Sequence, residues 1–375
     1  MPKGTRASSV WGIQPTVKRG GALRILHAPL NVAGQAWGLS RAERRLGVDS
    51  HLLVYEIPRF GYQYDQLVDK TAMSRRTRWM MWLKLLLHYD VYHFYFGRSL
   101  LRYHLDLPLL RLLGKKVVLT FQGCDARVAR FQTGSGRWID HGQYCSVCAA
   151  RPVWRRRFAL GLLARLATIT YVLNPDLLFI VPRARLLPYT SVDIEAMRPV
   201  ARREMNERLR VVHAPTNRRI KGTEVVVETI NRLREEGVSI ELVLLEGMDS
   251  DHVRTWLRLA DVVVDQLNIG WYGGFAVEAM ALAKPTVCFI DAEFTERAAI
   301  GIDIPIVRST RDSLYETLKE LAAAPEQLAE LGEAGRRYVE AVHDPVKIAQ
   351  RILRDLGLAT AGRRQRSPSA RDVSG

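Results

Sequence analysis

Cysteine is scarce, at four of 375 residues, which excludes a disulfide-stapled scaffold. Long hydrophobic runs are missing as well. The longest apolar tracts, WMMWLKLLL and FALGLLARLATITYVL, are interrupted by Lys84 and Arg165. Both fall short of the roughly 20 apolar residues that cross a bilayer, so no transmembrane helix is expected. The opening MPKGTRASSVWGIQPTVKRGG is basic but has no apolar core behind it, so a secretory signal is not expected. Residues 1–21 read as a disordered basic tail, and 359–375, ATAGRRQRSPSARDVSG, as a second disordered tail. With no export signal and few cysteines, a cytoplasmic chain is expected. No internal sequence repeat is found.

What is present is an ordinary globular composition, 47% hydrophobic and 25% charged. Its length exceeds the roughly 250–300 residues at which one core stops growing, and two domains are expected. The formal charge of +16 is unevenly placed. Residues 1–200 hold 30 Lys and Arg against 12 Asp and Glu, and residues 201–375 hold 25 against 27. A first half at +18 beside a second at −2 points to an anionic partner for the first half. Nucleic acid is not that partner, because the basic residues are scattered without a groove-reading module. An anionic membrane surface remains, alongside a merely solvated basic surface.

Short apolar, β-branched runs alternate with longer amphipathic segments. LRILHAP, SHLLVYE, DVYHFYF, KKVVLTF, ATITYVL and RLLPYTS form a first set; LRVVHAP, SIELVLLEG, ADVVVDQL, KPTVCFID and IPIVRS form a second. Continuous apolar strands with helical crossovers imply parallel sheets covered on both faces. The expectation is therefore α/β, with two doubly wound, Rossmann-like domains facing across a cleft, at 22–198 and 199–340, and a linker near 196–208. A terminal helix at 341–358 is separated from its predecessor by a break at Pro345. In such folds ligands sit at the carboxyl ends of the strands.

Two segments carry chemistry there. In NIGWYGGFAVEAMALAKP, Gly270, Tyr272, Gly273 and Gly274 precede a helix beginning near Phe275, so backbone amides at the helix start are open to an anion. Glu278, read as lying in the first turn, can accept two hydrogen bonds from a ribose diol. In HAPTNRRIKGTE, Arg218, Arg219 and Lys221 stand before Gly222, cations at the end of another strand that can grip a diphosphate. A glycine-rich turn and a solvated basic turn are the plain structural alternatives.

These two segments resemble the donor site of the GT-B glycosyltransferases, specifically the large family of retaining, metal-independent transferases that use nucleotide-sugar donors. The resemblance spans roughly residues 22–356, with YGGFAVEAMALAKP and NRRIKGT as its strongest elements. It implies that Arg218, Lys221, Gly222 and the loop containing Gly270, Tyr272, Gly273 and Gly274 bind the diphosphate, and that Glu278 binds the ribose. It also implies that no catalytic metal or further cofactor is needed. Two positions depart from the family pattern. The acid usually found eight residues before the ribose Glu is here Gly270. His-Gly-x-Asp becomes FQGCDAR, with Gln122 for His and Asp125 retained; glutamine cannot shuttle a proton at neutral pH. Lys221, Asp125 and Gln122 are the candidate catalytic residues, and Asn31, Gly34 and Gln35 in NVAGQ the acceptor-side ones.

The expected reaction is hexosyl-type transfer to a glycan, lipid-linked or other cell-envelope acceptor. An epimerase or an inactive binding protein on the same scaffold are the alternatives. RRTRWMMWLKLLLHYD joins cations to Trp79, Trp82 and Leu83 and suits either a membrane interface or a core-packing helix. Cys124, His141, Cys145 and Cys148 offer the donor types of a structural zinc site, with free thiols or a disulfide as alternatives; Cys288, in TVCFI, reads as core.

Overall fold

The computed structural model describes residues 23–150, 152–199 and 208–358. The two expected tails and most of the expected linker lie outside these residues. Continuous apolar segments in the first half become a seven-stranded parallel sheet: β1 (Arg24–Ala28), β2 (Asp49–Val54), β3 (Gln66–Leu67), β4 (Val91–Tyr95), β5 (Lys116–Phe121), β8 (Ile169–Val172) and β9 (Arg185–Leu186). Between β5 and β8 stands an antiparallel ribbon of β6 (Arg130–Gln132) and β7 (Trp138–Asp140), which strand patterning did not predict. The sheet order is β3-β2-β1-β4-β5-β8-β9.

The second half gives a five-stranded parallel sheet of order β11-β10-β12-β13-β14. Its strands are β10 (Leu209–His213), β11 (Ile240–Leu244), β12 (Val262–Val264), β13 (Thr286–Cys288) and β14 (Val307–Arg308). Each sheet reverses direction once, between β1 and β4 in the first and between β10 and β12 in the second. Loops leaving those strand pairs diverge and open a crevice at the carboxyl ends.

Burial explains the lack of alternation. All five residues of β4 and all three of β12 are buried, as expected for strands covered on both faces. Two buried histidines of the first sheet are paired: His27 bridges the Tyr95 hydroxyl and Glu43, each at 2.7 Å, and His93 meets Thr120 at 2.7 Å.

The expected break at Pro345 separates helices Gln327–Val342 and Pro345–Asp355. Asp344 caps the second through Val346 N at 2.8 Å, and proline at the first helical position loses no hydrogen bond there. This last helix returns to the first sheet's layer and packs on the helix Gln35–Arg45. There Asp355 accepts from the Tyr171 hydroxyl at 2.7 Å and pairs with Arg185 at 2.8 Å. Arg336, one helix earlier, donates to the carbonyls of Ala281 at 2.6 Å and Ile194 at 3.0 Å, joining the second unit to the chain that leaves the first.

Gly38 marks the tightest approach in the first unit: a methyl group on its Cα would stand 1.7 Å from the Thr190 carbonyl oxygen. Gly38→Ala must push the helix Gln35–Arg45 off the 190–191 segment. We expect a loss of roughly 1–3 kcal/mol, the usual cost of overpacking, measured as a lowered midpoint in urea unfolding.

Candidate functional site

The segment after β10 folds into a single helical turn, Arg218–Lys221, capped by Asn217 through Ile220 N at 3.1 Å. Gly222 ends it at φ +76°, where a Cβ would press on Leu267 at 3.1 Å. This turn throws the Lys221 ammonium inward, across the gap between β10 and β12. There it meets the carboxylate of Asp265, the residue immediately after β12, in a short ion pair. The other Asp265 oxygen accepts from the Gly273 amide at 2.6 Å. The two loops read from sequence as facing each other therefore do converge, on one buried carboxylate. The next helix, Gly274–Ala281, begins without a side-chain cap, leaving first-turn amides available to an anion at the same place.

From the first unit, Ser191 and Tyr189 face this helix start; a Cβ on Gly274 would lie 3.5 Å from the Ser191 hydroxyl. Gly34, at φ +71°, turns the loop after β1 so closely against Tyr62 and Ser191 that a Cβ would lie 3.0 Å from the Tyr62 ring. Buried atoms without a hydrogen-bond partner here include both ends of the Gln122 carboxamide, the Ser191 hydroxyl, Arg254 Nε and Asn268 Oδ1. Buried polar groups are nearly always bonded, so these groups are suited to meet a ligand's hydroxyls.

Other expected residues are placed differently. Tyr272 is a core residue, not a donor contact: it is 1% exposed and its hydroxyl meets Tyr338 at 2.8 Å and His343 at 3.1 Å. Glu278 falls in the second turn rather than the first. One of its oxygens accepts from Arg254 at 2.9 Å, with Tyr62 of the first unit beside it. Burial raises its pKa, and Arg254 opposes the rise. Arg218 points to Glu224 at 2.8 Å and Glu246 at 2.7 Å. The amide of Gly222 donates to the Arg218 carbonyl at 2.9 Å, so this glycine serves the turn and not an anion. Gly270, at φ +78°, has no space for a side chain, since a Cβ would stand 2.9 Å from that of Asp291.

On the acceptor side, Asn31 donates to the Gln63 carbonyl at 2.8 Å. The Gln35 carboxamide oxygen accepts from Thr190 N at 2.7 Å. Both side chains brace the loop from inside. Asp125 accepts from the amides of Gln122 at 3.0 Å and Gly123 at 2.6 Å, locking the turn after β5. Of the four zinc-type residues, Cys124, Cys145 and Cys148 come together, whereas His141 stands outside their group beside Asp176 at 3.3 Å. Sequence reading missed Asp265, Arg254, Tyr62 and Ser191. An acid closing a buried strand at its carboxyl end was the available signal for Asp265.

With two sheets and converging loops in place, the architecture is the two-domain GT-B fold. Solved structures share it at low identity. A sucrose-phosphate synthase from Thermosynechococcus elongatus superposes with TM-score 0.57 and 13% identity, covering 89% of this chain and 98% of its own. HepE of Anabaena, solved with UDP-glucose, gives 0.56 and 11%, covering 90% and 100%. An alpha-glucosyltransferase solved with UDP and a 13-mer DNA gives 0.54 and 10%, with coverage of 90% and 100%. No family profile and no curated protein matches the sequence. Among the described residues, no helix is long and apolar enough to cross a membrane.

Burial pushes the pKa of Asp125 up to about 6 against the amides that favour its carboxylate. A raised carboxyl pKa means the folded chain holds the proton more tightly than the unfolded chain, so this group's contribution to stability falls as pH rises from about 4 through about 6. Asp125→Asn removes the titration. We expect the melting temperature of the variant, relative to the parent, to be more favourable at pH 8 than at pH 4; an equal or reversed difference contradicts the raised pKa.

Proposed function

We propose that the protein is a glycosyltransferase that moves a sugar from a nucleoside diphosphate donor to an acceptor presented at a membrane surface. The observation that carries the donor half is the convergence of Lys221 and the Gly273 amide at the point where the second sheet reverses its strand order. An ammonium and helix-start amides fixed in a crevice are suited to the charge that builds on a departing diphosphate, and they act without reorganising. On donor binding the phosphate displaces Asp265 from these groups. Asp265 is then the nearest acid to the sugar, in the role the resemblance gives to the residue missing at Gly270. Gln122 and Ser191 supply neutral hydrogen bonds to sugar or acceptor hydroxyls, and Glu278, shared with Arg254, takes the ribose. Retention of configuration, with the leaving phosphate accepting the acceptor's proton, follows the family resemblance.

The acceptor half rests on two helices. Arg75–His88 and Val153–Leu166 contain no acidic residue. Each buries an apolar row in the sheet and leaves a second exposed: Trp79, Leu83 and Leu87 on one, Trp154, Phe158 and Leu162 on the other. The steps β3 to β4 and β5 to β8 cross the sheet in the same direction, so right-handed crossovers put both helices on one face. Exposed aromatics set among arginines fit the interface of an anionic membrane, where each cation near the surface contributes about 1 kcal/mol. A lipid-linked or cell-envelope acceptor would be met there.

A thermal-shift panel of nucleotide sugars, led by UDP-sugars, tests the donor site. A true donor at about 100 times its Kd adds roughly 2.7 kcal/mol of stability, and Lys221→Ala should abolish the shift and lower turnover by about 100-fold or more. Because that variant strands Asp265, Lys221→Ala/Asp265→Ala is the matched control for folding and should bind as poorly. Normal binding by the folded double variant rejects the assignment.

Co-sedimentation with vesicles tests the membrane face. We expect binding to anionic but not neutral vesicles, weakened by salt and by Trp79→Ser/Phe158→Ser. Equal behaviour on the two lipids argues against it.

A further inference from the structure

The segment between β5 and β8 holds a cluster that the transfer reaction does not use. Cys124 lies in the turn after β5; Cys145 and Cys148 bracket the start of the short helix Ser146–Ala149, beyond the ribbon. All three are free thiols, Cys145 and Cys148 buried and Cys124 half-buried. Their sulfurs lie within 4.8 Å of one another, with Cys124 and Cys145 at 3.6 Å. Sulfurs bound tetrahedrally to zinc at about 2.3 Å stand about 3.8 Å apart, so these thiols already hold the spacing of a coordination site.

His141 is a second and independent sign. It is 2% exposed, and neither of its ring nitrogens makes a hydrogen bond. Its Nε2 faces the Asp176 carboxylate at 3.3 Å, and Asp176 is held in turn by Arg127 at 2.6 Å. A metal-bound histidine commonly has a carboxylate behind its far nitrogen, which orients the ring and fixes the tautomer. His141 is also close by in the chain, because its carbonyl accepts from Cys145 N at 3.1 Å.

We propose that Cys124, Cys145 and Cys148 bind one zinc-type divalent cation as thiolates, with His141 Nδ1 as the fourth ligand. Three sulfurs and an imidazole select zinc over the harder cations. Three thiolates around a dication leave one negative charge, and Arg156, which donates to the Cys124 carbonyl, stands beside it.

The ion closes the loop that carries the ribbon onto the turn holding Gln122 and Asp125. That ribbon spans the crevice: Arg137 pairs with Asp291 at 2.6 Å and Glu293 at 3.1 Å, and the Gln143 carbonyl accepts from Arg219 at 2.7 Å. The site is therefore structural, and it fixes a bridge between the two units beside the phosphate turn.

The test uses the full chain, purified reduced and without a histidine tag, equilibrated with Zn2+ and desalted. Elemental analysis should find stoichiometric zinc, retained in Cys288→Ser and lost in Cys148→Ser. Adding chelator should expose three thiols to a thiol reagent and open the 130–145 segment to limited proteolysis. Zinc absent from the parent, or retained by Cys148→Ser, overturns the site. Should Cys148→Ser fail to fold, Co2+ titration of the parent decides: sulfur-to-cobalt charge-transfer absorption supports the site and its absence overturns it. His141→Ala should alter the cobalt ligand-field bands, and an unchanged spectrum overturns His141 as the fourth ligand.

Discussion

A buried ammonium is stable only if something nearby carries the opposite charge, because removing it from water costs several kcal/mol. Lys221 is 9% exposed, and Asp265 supplies that charge from the next strand. The same carboxylate accepts the Gly273 amide, so one side chain fixes the phosphate turn, the end of β12 and the start of the following helix. Without Asp265 between them, the Lys221 ammonium and the Gly273 amide would be left unpaired. The acid satisfies both groups at once and in doing so holds the two loops together.

The crevice around this pair depends equally on missing side chains. Gly34 and Gly274 leave room for Tyr62 and Ser191 where the two units approach, and Gly270 lets the loop turn against Asp291 and Phe294. Had an acid stood at 270, with φ +78° and a Cβ contact of 2.9 Å, the loop could not take this path. Glycine at 270 thus lets the loop fold against Asp291, and Asp291 in turn binds Arg137 of the ribbon.

Most of the fold was legible because both sheets are parallel and doubly covered, and such strands announce themselves as continuous apolar runs. All eleven segments read as strands contain one. The ribbon was not legible, since RFQTGSGRWID mixes polar and apolar residues on a two-stranded element with little core to specify it. The Lys221 turn and the glycine loop converge on Asp265 because both leave the carboxyl ends of adjacent strands, a position the strand pattern makes legible. Arg254 was missed for the opposite reason. On an amphipathic helix, a cation aimed at Glu278 looks the same in sequence as one in solvent, and only the fold, which brings Arg254 of Ser250–Leu259 to Glu278, separates the two. Tyr272 was misread because an aromatic between glycines suggests a ligand contact, whereas its environment is set by Tyr338 and His343, more than sixty positions away.

Charge and apolar exposure together give the first unit a direction. An amphipathic helix hides its apolar residues on one face, but Arg75–His88 and Val153–Leu166 have apolar residues on opposite sides, one set in the core and the other in solvent. Ordinary solubility would favour acids or lysines at Trp79, Leu87, Trp154 and Phe158, and neither helix has an acid anywhere. Exposed apolar area of this extent calls for a partner. An anionic bilayer accounts for the aromatics and the arginines at once, whereas a purely apolar protein partner leaves the arginines unexplained. The excess of +18 in the first half has the same reading, because the second half, with the Lys221 turn, is close to neutral.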